Sequence, residues 1–137
     1  MINSIGVHIK VNNFARSKAF YLALGFTPVF EYGPNQPVKE DYSGITFQHG
    51  SSKIELADGH RAVKPEVFKE RVRSSKISLM IEVDSIKNII DSAAKSKIAP
   101  IVPPRHFYWG KLEVVFRDPD GRGRLWKNMS CKEVRDK

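Results

Sequence analysis

The chain has 137 residues, 41% hydrophobic and 28% charged, which suits one ordinary globular domain or two small fused modules and excludes a large multidomain machine. No apolar run approaches the roughly 20 residues of a membrane-spanning helix, and the opening MINSIGVHIK lacks the apolar core and cleavage site of a signal peptide, so a cytoplasmic location is expected. Twenty-three Lys and Arg against fifteen Asp and Glu give +8, but the basic residues are scattered without a run of five or six, which disfavours a nucleic-acid partner.

Residues Ser4–Val11 alternate, with Ile5, Val7, Ile9 and Val11 apolar and Gly6, His8 and Lys10 between them, which predicts a half-buried strand. Asn12 or Asn13 can then cap a helix through Phe14, Ser17, Phe20, Tyr21 and Leu24, stopped by Gly25. Strands are expected at Thr27–Tyr32, Tyr42–His49 and Ser52–Ala57, separated by GPNQP and HGSS. The polar stretch from Asp58 to Ser75 reads as a link, with a short helix starting at Pro65.

The second half opens like the first. Ile77, Leu79, Ile81 and Val83 alternate with Ser78, Met80 and Glu82, and a helix follows with Ile86, Ile89, Ile90, Ala93 and Ala94 in its stripe and Asp84 or Ser85 as cap. Ile101–Val102, a bend PPRHFYWG, the strand Lys111–Arg117, the turn DPDG and a last strand near Gly123–Asn128 complete it. Placing Val83 on Val11 starts both helices at the same offset. The chain therefore reads as an α+β fold of two tandem βαβββ modules: residues 1–60, a linker at 61–75, a second module at 76–129 and a tail at 130–137, together one domain.

Each half owns one helix with which to cover one face of its sheet. The covered faces carry Val7, Ile9 and Val11, and Leu79, Ile81 and Val83. The opposite faces carry Gly6, His8, Lys10 and Glu55, and Ser78, Met80 and Glu82; two such sheets side by side enclose a cup suited to a small molecule.

The duplicated plan, the segment NNFARSKAFYLALGF and the stretch YWGKLEVVFRDPDGRGRLW together resemble the vicinal oxygen chelate superfamily of glyoxalases, bleomycin-resistance proteins and extradiol dioxygenases. The resemblance implies a glyoxalase/bleomycin-resistance/dioxygenase-like cup, and in the family's enzymes a divalent metal held from the first and last strand of each half. Those corners map onto Gly6, Glu55, Ser78 and Leu125. Only Glu55 is a competent ligand, because glycine and leucine offer no donor and a serine hydroxyl binds such metals poorly. A two-residue shift of the first strand would put His8 at the corner instead of Gly6.

The sequence thus points to a metal-free, cofactor-free binding protein for a neutral or anionic small molecule, working as a homodimer. Ligand contacts are expected from His8, Lys10, Glu55, Ser78, Met80, Glu82, Tyr108 and Trp109. The alternative is a lyase, isomerase or dioxygenase in which His8 and Glu55 do acid–base work, with or without Zn, Ni, Fe or Mn. The bland readings are an ion pair of Glu55 with Lys10 or Lys53, pairing of Glu82 with Lys10, and core or interface packing for Phe107, Tyr108 and Trp109. His60 and His106 read as solvent-exposed loop residues, Phe116 and Trp126 as core, and Cys131, past the last strand, as no nucleophile.

Overall fold

A computed structural model describes residues 1–69, 79–106, 111–117, 119 and 128–134. In the first module β1 (Gly6–Lys10) leads into α1 (Phe14–Ala23), followed by β2 (Pro28–Tyr32), β3 (Gly44–His49) and β4 (Ser52–Ala57). A short 3-10 helix, Pro65–Lys69, follows. The second module comprises β5 (Leu79–Glu82), α2 (Ile86–Lys95), β6 (Val102–His106), β7 (Lys111–Arg117) and β8 (Asn128–Val134). The strand orders are β1-β4-β3-β2 and β5-β8-β7-β6, the same plan twice, with β1 and β5 each at a sheet edge.

The two helices are bounded by the same devices at the same offset. Asn13 Oδ1 accepts the Arg16 N–H and Ser85 Oγ accepts the Asn88 N–H, both at 3.1 Å, so each helix has a side-chain N-cap. At the far ends Gly25 N–H donates to the Leu22 carbonyl and Phe26 N–H to that of Tyr21, while Lys97 N–H donates to Ala94 and Ile98 N–H to Ala93. Both closures need a residue with positive φ: Gly25 at +96° supplies it freely, whereas Lys97 at +60° carries a Cβ into the left-handed region.

Pairing explains how each sheet buries one face. β1 runs parallel to β4 with Ile9 opposite Leu56, and β3 runs antiparallel to β4 with Ile45 opposite Leu56 and Phe47 opposite Ile54. Ile9, Ile45, Phe47 and Leu56 are all at most 1% exposed, with Tyr21 of α1 stacked on Phe47 at 5.9 Å. Each such side chain removed from water contributes about 1.5–3 kcal/mol. The core continues without a break into the second module through Ile86, Ala93, Val114, Phe116 and Cys131, so the halves share one interior. α1 packs against α2, Ser92 Oγ donates to the Ala23 carbonyl at 2.6 Å, and Arg16 reaches the Pro119 carbonyl. Among the described residues no helix is long and apolar enough to cross a membrane.

Two sequence expectations change. A strand occupies Asn128–Val134, which includes residues read as a tail and places Cys131 in its middle, opposite Ile81 and Val114; of the strand expected near Gly123–Asn128, all but Asn128 lies outside the described residues. Cys131 is buried there, and burial pushes its thiol up to about 12. The bend read at PPRH is strand β6, with His106 in it: an edge strand tolerates Pro103 and Pro104, whose missing N–H groups coincide with the register shift between Val102 and Arg105. The residues Phe107, Gly110, Leu125 and Trp126 lie outside the described residues, while Phe116 is fully buried as expected.

Lys97→Gly is expected to raise stability by about 1 kcal/mol, since it removes the Cβ penalty at a left-handed position without touching a core contact. Urea unfolding of the two proteins side by side measures it, and an unchanged or lowered midpoint would contradict the cap geometry.

Candidate functional site

The face of the first sheet turned away from α1 is ordered by strand register. Across its middle run His8, Glu55, Thr46 and Phe30; on one side of that row lie Gly6, Lys53 and Gln48, and on the other Lys10, Ala57, Gly44 and Tyr32. Parallel pairing sets His8 directly opposite Glu55, with Gly6 opposite Lys53. Both the His8 and Glu55 side chains remain reachable, at 28% and 35% exposure.

Glu55 is the centre of a polar cluster. His8 Nε2 stands 3.3 Å from Oε2, Tyr32 O–H donates to Oε2 at 3.5 Å, and Thr46 O–H donates to Oε1 at 3.3 Å. These contacts are long for a carboxylate, where charge-assisted bonds run at about 2.5–2.9 Å. His8 Nε2 is buried at ion-pair distance from Glu55 but off the line of a hydrogen bond, and it has no hydrogen-bond partner among the described residues. Burial lowers the His8 pKa below its ordinary 6.5, a trend that the Glu55 charge opposes and that Lys10 and His60 reinforce. His8 is therefore a neutral ring at neutral pH. Burial, and then the charge of Glu55, push Tyr32 up to about 12, so its phenol stays protonated and donates.

Tyr32 reaches Glu55 because β3 presents Gly44 beneath it: a methyl group at Gly44 would overlap the Tyr32 ring. Tyr42 meets Tyr32 edge-on at 5.7 Å, and itself sits against Gly59, where an added Cβ would lie 2.6 Å from the Tyr42 Cβ. Past β4 the chain brings the His60 ring to 5.3 Å from that of His8, with His60 Nδ1 accepting the Ala62 N–H. His60 is exposed, as the sequence suggested, but it is not isolated.

Of the expected site residues, His8, Lys10 and Glu55 share this face. Met80 and Glu82 lie on β5 along a cavity of about 580 Å³ between the modules, whose other walls include Phe26, Phe47, His49 and Ile54. Ser78, Tyr108 and Trp109 lie outside the described residues. The anticipated ion pairs of Glu55 with Lys10 or Lys53, and of Glu82 with Lys10, do not form among the described residues. Tyr32, Thr46, Tyr42, Gly44 and Gly59 were not anticipated.

The family's metal does not fit this donor set. The register puts His8 rather than Gly6 opposite Glu55, as the two-residue shift allowed, and Gly6 faces the Lys53 carbonyl, 3.2 Å from where a Cβ would stand; the first half thus supplies two donors, His8 and Glu55. The register that sets Glu55 against His8 sets Ser130, not Leu125, against Met80, so the closing corner of the second half is a serine. Among the described residues no three His, Cys, Asp or Glu converge on a cation position.

The sequence model of the Glyoxalase/Bleomycin resistance protein/Dioxygenase superfamily matches residues 2–122. Similar solved structures include a glyoxalase/bleomycin resistance protein from Catenulispora acidiphila DSM 44928, 16% identical with TM-score 0.64 over 98% of this chain and 100% of that one. An antibiotic binding protein from Streptomyces sp. CB03234 is 16% identical, TM-score 0.66, over 98% of each chain. A glyoxalase/bleomycin resistance protein/dioxygenase family enzyme from Burkholderia phytofirmans PsJN is 18% identical, TM-score 0.67, over 95% of this chain and 97% of that one. No curated protein matches the chain.

The His8 surroundings give a signed expectation for pH. Above 6.5 the ring is neutral in both folded and unfolded chains; as pH falls from 6.5 toward the lower folded midpoint, the unfolded chain protonates first and stability declines. An NMR titration of the His8 ring should give a midpoint below 6.5, moved further down by Glu55→Gln and up by Lys10→Met. A midpoint unaltered by Glu55→Gln would mean that the carboxylate and the ring do not interact.

Proposed function

The chain belongs to the Glyoxalase/Bleomycin resistance protein/Dioxygenase superfamily, and from that premise we propose that it is a small-molecule binding protein that captures a neutral or anionic compound on the open face around His8 and Glu55, without a metal. The observation that carries this reading is the state of Glu55: a partly exposed carboxylate whose three polar neighbours all stand at 3.3–3.5 Å, leaving acceptor capacity for a ligand's donor. An ion pair kept only for stability would be expected to close to shorter distances. The metal-free reading rests on the residue types in register, Met80 opposite Ser130 in the second half where the first has His8 opposite Glu55, and the preference for a neutral or anionic ligand on the +8 charge.

The working form in this proposal is a cytoplasmic homodimer. β1 and β5 each carry a row of backbone groups on the side away from β4 and β8, and exposed Val7 and Met80 accompany them. A partner chain that lays its second module beside the first module of this one completes the cup and covers both edges. Ser78, Met80, Glu82, Tyr108 and Trp109 of the partner then form the opposite wall. The likeness to an antibiotic binding protein is consistent with capture of a compound.

A second reading is favoured by one feature, the neutral His8 ring beside Glu55. Such a pair can take a proton from a bound substrate, with the carboxylate stabilising the imidazolium that results. In that case the protein is a lyase or isomerase using acid–base chemistry.

Metal analysis of protein purified without chelators should find Ni, Zn, Fe and Mn well below one equivalent, and sedimentation should give a dimer. Native mass spectrometry is expected to find a co-purifying small molecule that Glu55→Gln loses. A near-stoichiometric metal that disappears in Glu55→Ala would overturn the binding reading, and a monomer at micromolar concentration would overturn the shared cup.

A further inference from the structure

On the open face an aromatic wall stands beside the polar cluster. Phe30 and Tyr32 project from β2 on one side of the sheet with ring centroids 6.0 Å apart, and Tyr42 meets Tyr32 edge-on at 5.7 Å. Phe30, opposite Thr46 and just past the register shift that follows Pro28, is 47% exposed. Two glycines make the wall: Gly44 leaves the floor on which the Tyr32 ring lies, and Gly59 leaves the space against which Tyr42 is held. Neither glycine has the positive φ that would account for it by backbone conformation. Space for a ring is what each position supplies.

The charges on this face are unequal. Lys10 and Lys53 occupy register positions diagonal to Glu55 and His8, and neither enters an ion pair among the described residues. With the His8 pKa lowered, the two lysines outnumber the one carboxylate among the charged residues of this face. The face thus offers ring surfaces along its β2 edge and, toward its β1 edge, a lysine on either side of the His8–Glu55 pair.

We propose that the wall of Phe30, Tyr32 and Tyr42, seated on Gly44 and Gly59, is the recognition surface of this site and selects planar aromatic anions, with the ring on the wall and the anionic group toward Lys10 and Lys53. The proposal rests on the open face being the binding site. Tyr32 determines specificity, since it holds the ring surface and is tied to Glu55 by its hydroxyl. An aliphatic acid would satisfy the lysines and waste the wall. A neutral arene would do the reverse.

NMR titrations with 2-naphthoate, cyclohexanecarboxylate and 2-naphthol test it on the full-length protein. 2-Naphthoate should shift Tyr32, Thr46 and Glu55 and bind about tenfold more tightly than either of the others. Gly44→Ala, which displaces the free end of the Tyr32 side chain and not the backbone, should weaken 2-naphthoate about fivefold or more and leave cyclohexanecarboxylate unchanged. Tyr32→Leu should do the same, and the double variant Lys10→Met, Lys53→Met should erase the preference over 2-naphthol. Equal binding of the aliphatic and aromatic acids at these residues would overturn the aromatic selection while leaving the site in place. Shifts confined to Phe26, Ile81 and Ile89, in the cavity between the modules, would overturn the open-face reading itself, as would no shift with any probe.

Discussion

Everything at the site depends on the register of one parallel pair. β1 lies on β4 with Ile9 against Leu56 and His8 against Glu55, so alternate residues go to opposite faces. A one-residue slip of either strand would turn a buried aliphatic side chain to water and drive a histidine or a carboxylate beneath α1. The apolar face enforces the register: Ile9, Ile45, Phe47 and Leu56 are almost wholly removed from solvent. The functional face is therefore held by the packing on the other side of the sheet, and a polar cluster with long contacts survives without having to stabilise the fold.

Around that pair the site is shaped as much by missing side chains as by present ones. Gly44 gives Tyr32 a path across β3 to Glu55, and Gly59 gives Tyr42 a seat. His8, and not Gly6, stands beside the carboxylate, with Gly6 opposite Lys53. A neutral imidazole, a phenol and a hydroxyl are grouped there on one acid, a set able to hydrogen-bond and to exchange protons.

The internal duplication accounts for the rest of the architecture. N-caps at Asn13 and Ser85 and left-handed closures at Gly25 and Lys97 repeat at one offset, yet the halves have drifted. In the first, the face away from the helix bears His8 and Glu55; in the second, the corresponding pair is Met80 opposite Ser130. The chemistry described for this chain is consequently concentrated in the first module, with the second supplying a common core through Ile86, Val114 and Phe116.

Local pattern is enough for the repeated module, both helices with their caps, the covered faces apart from Val7, which is exposed, and the placement of His8, Lys10 and Glu55 on one side of a sheet, because side-chain alternation and 3.6-residue periodicity are written in neighbouring positions. Pro103 and Pro104 defeat the same logic in β6, since a proline's tolerance depends on whether its strand is an edge, and residues 130–134 read as a tail because their pairing with β5 and β7 is not local. Tyr32, Thr46, Tyr42 and His60 were invisible for a related reason. Tyr32, Thr46 and His60 join Glu55 or His8 only through cross-strand register or through a loop that returns beside β1, Tyr42 joins through Tyr32, and their meeting depends on residues far apart in the chain. Sequence by itself determined which faces are apolar and which polar; tertiary pairing alone decided which polar groups touch, because that is a property of two strands and of the glycines between them.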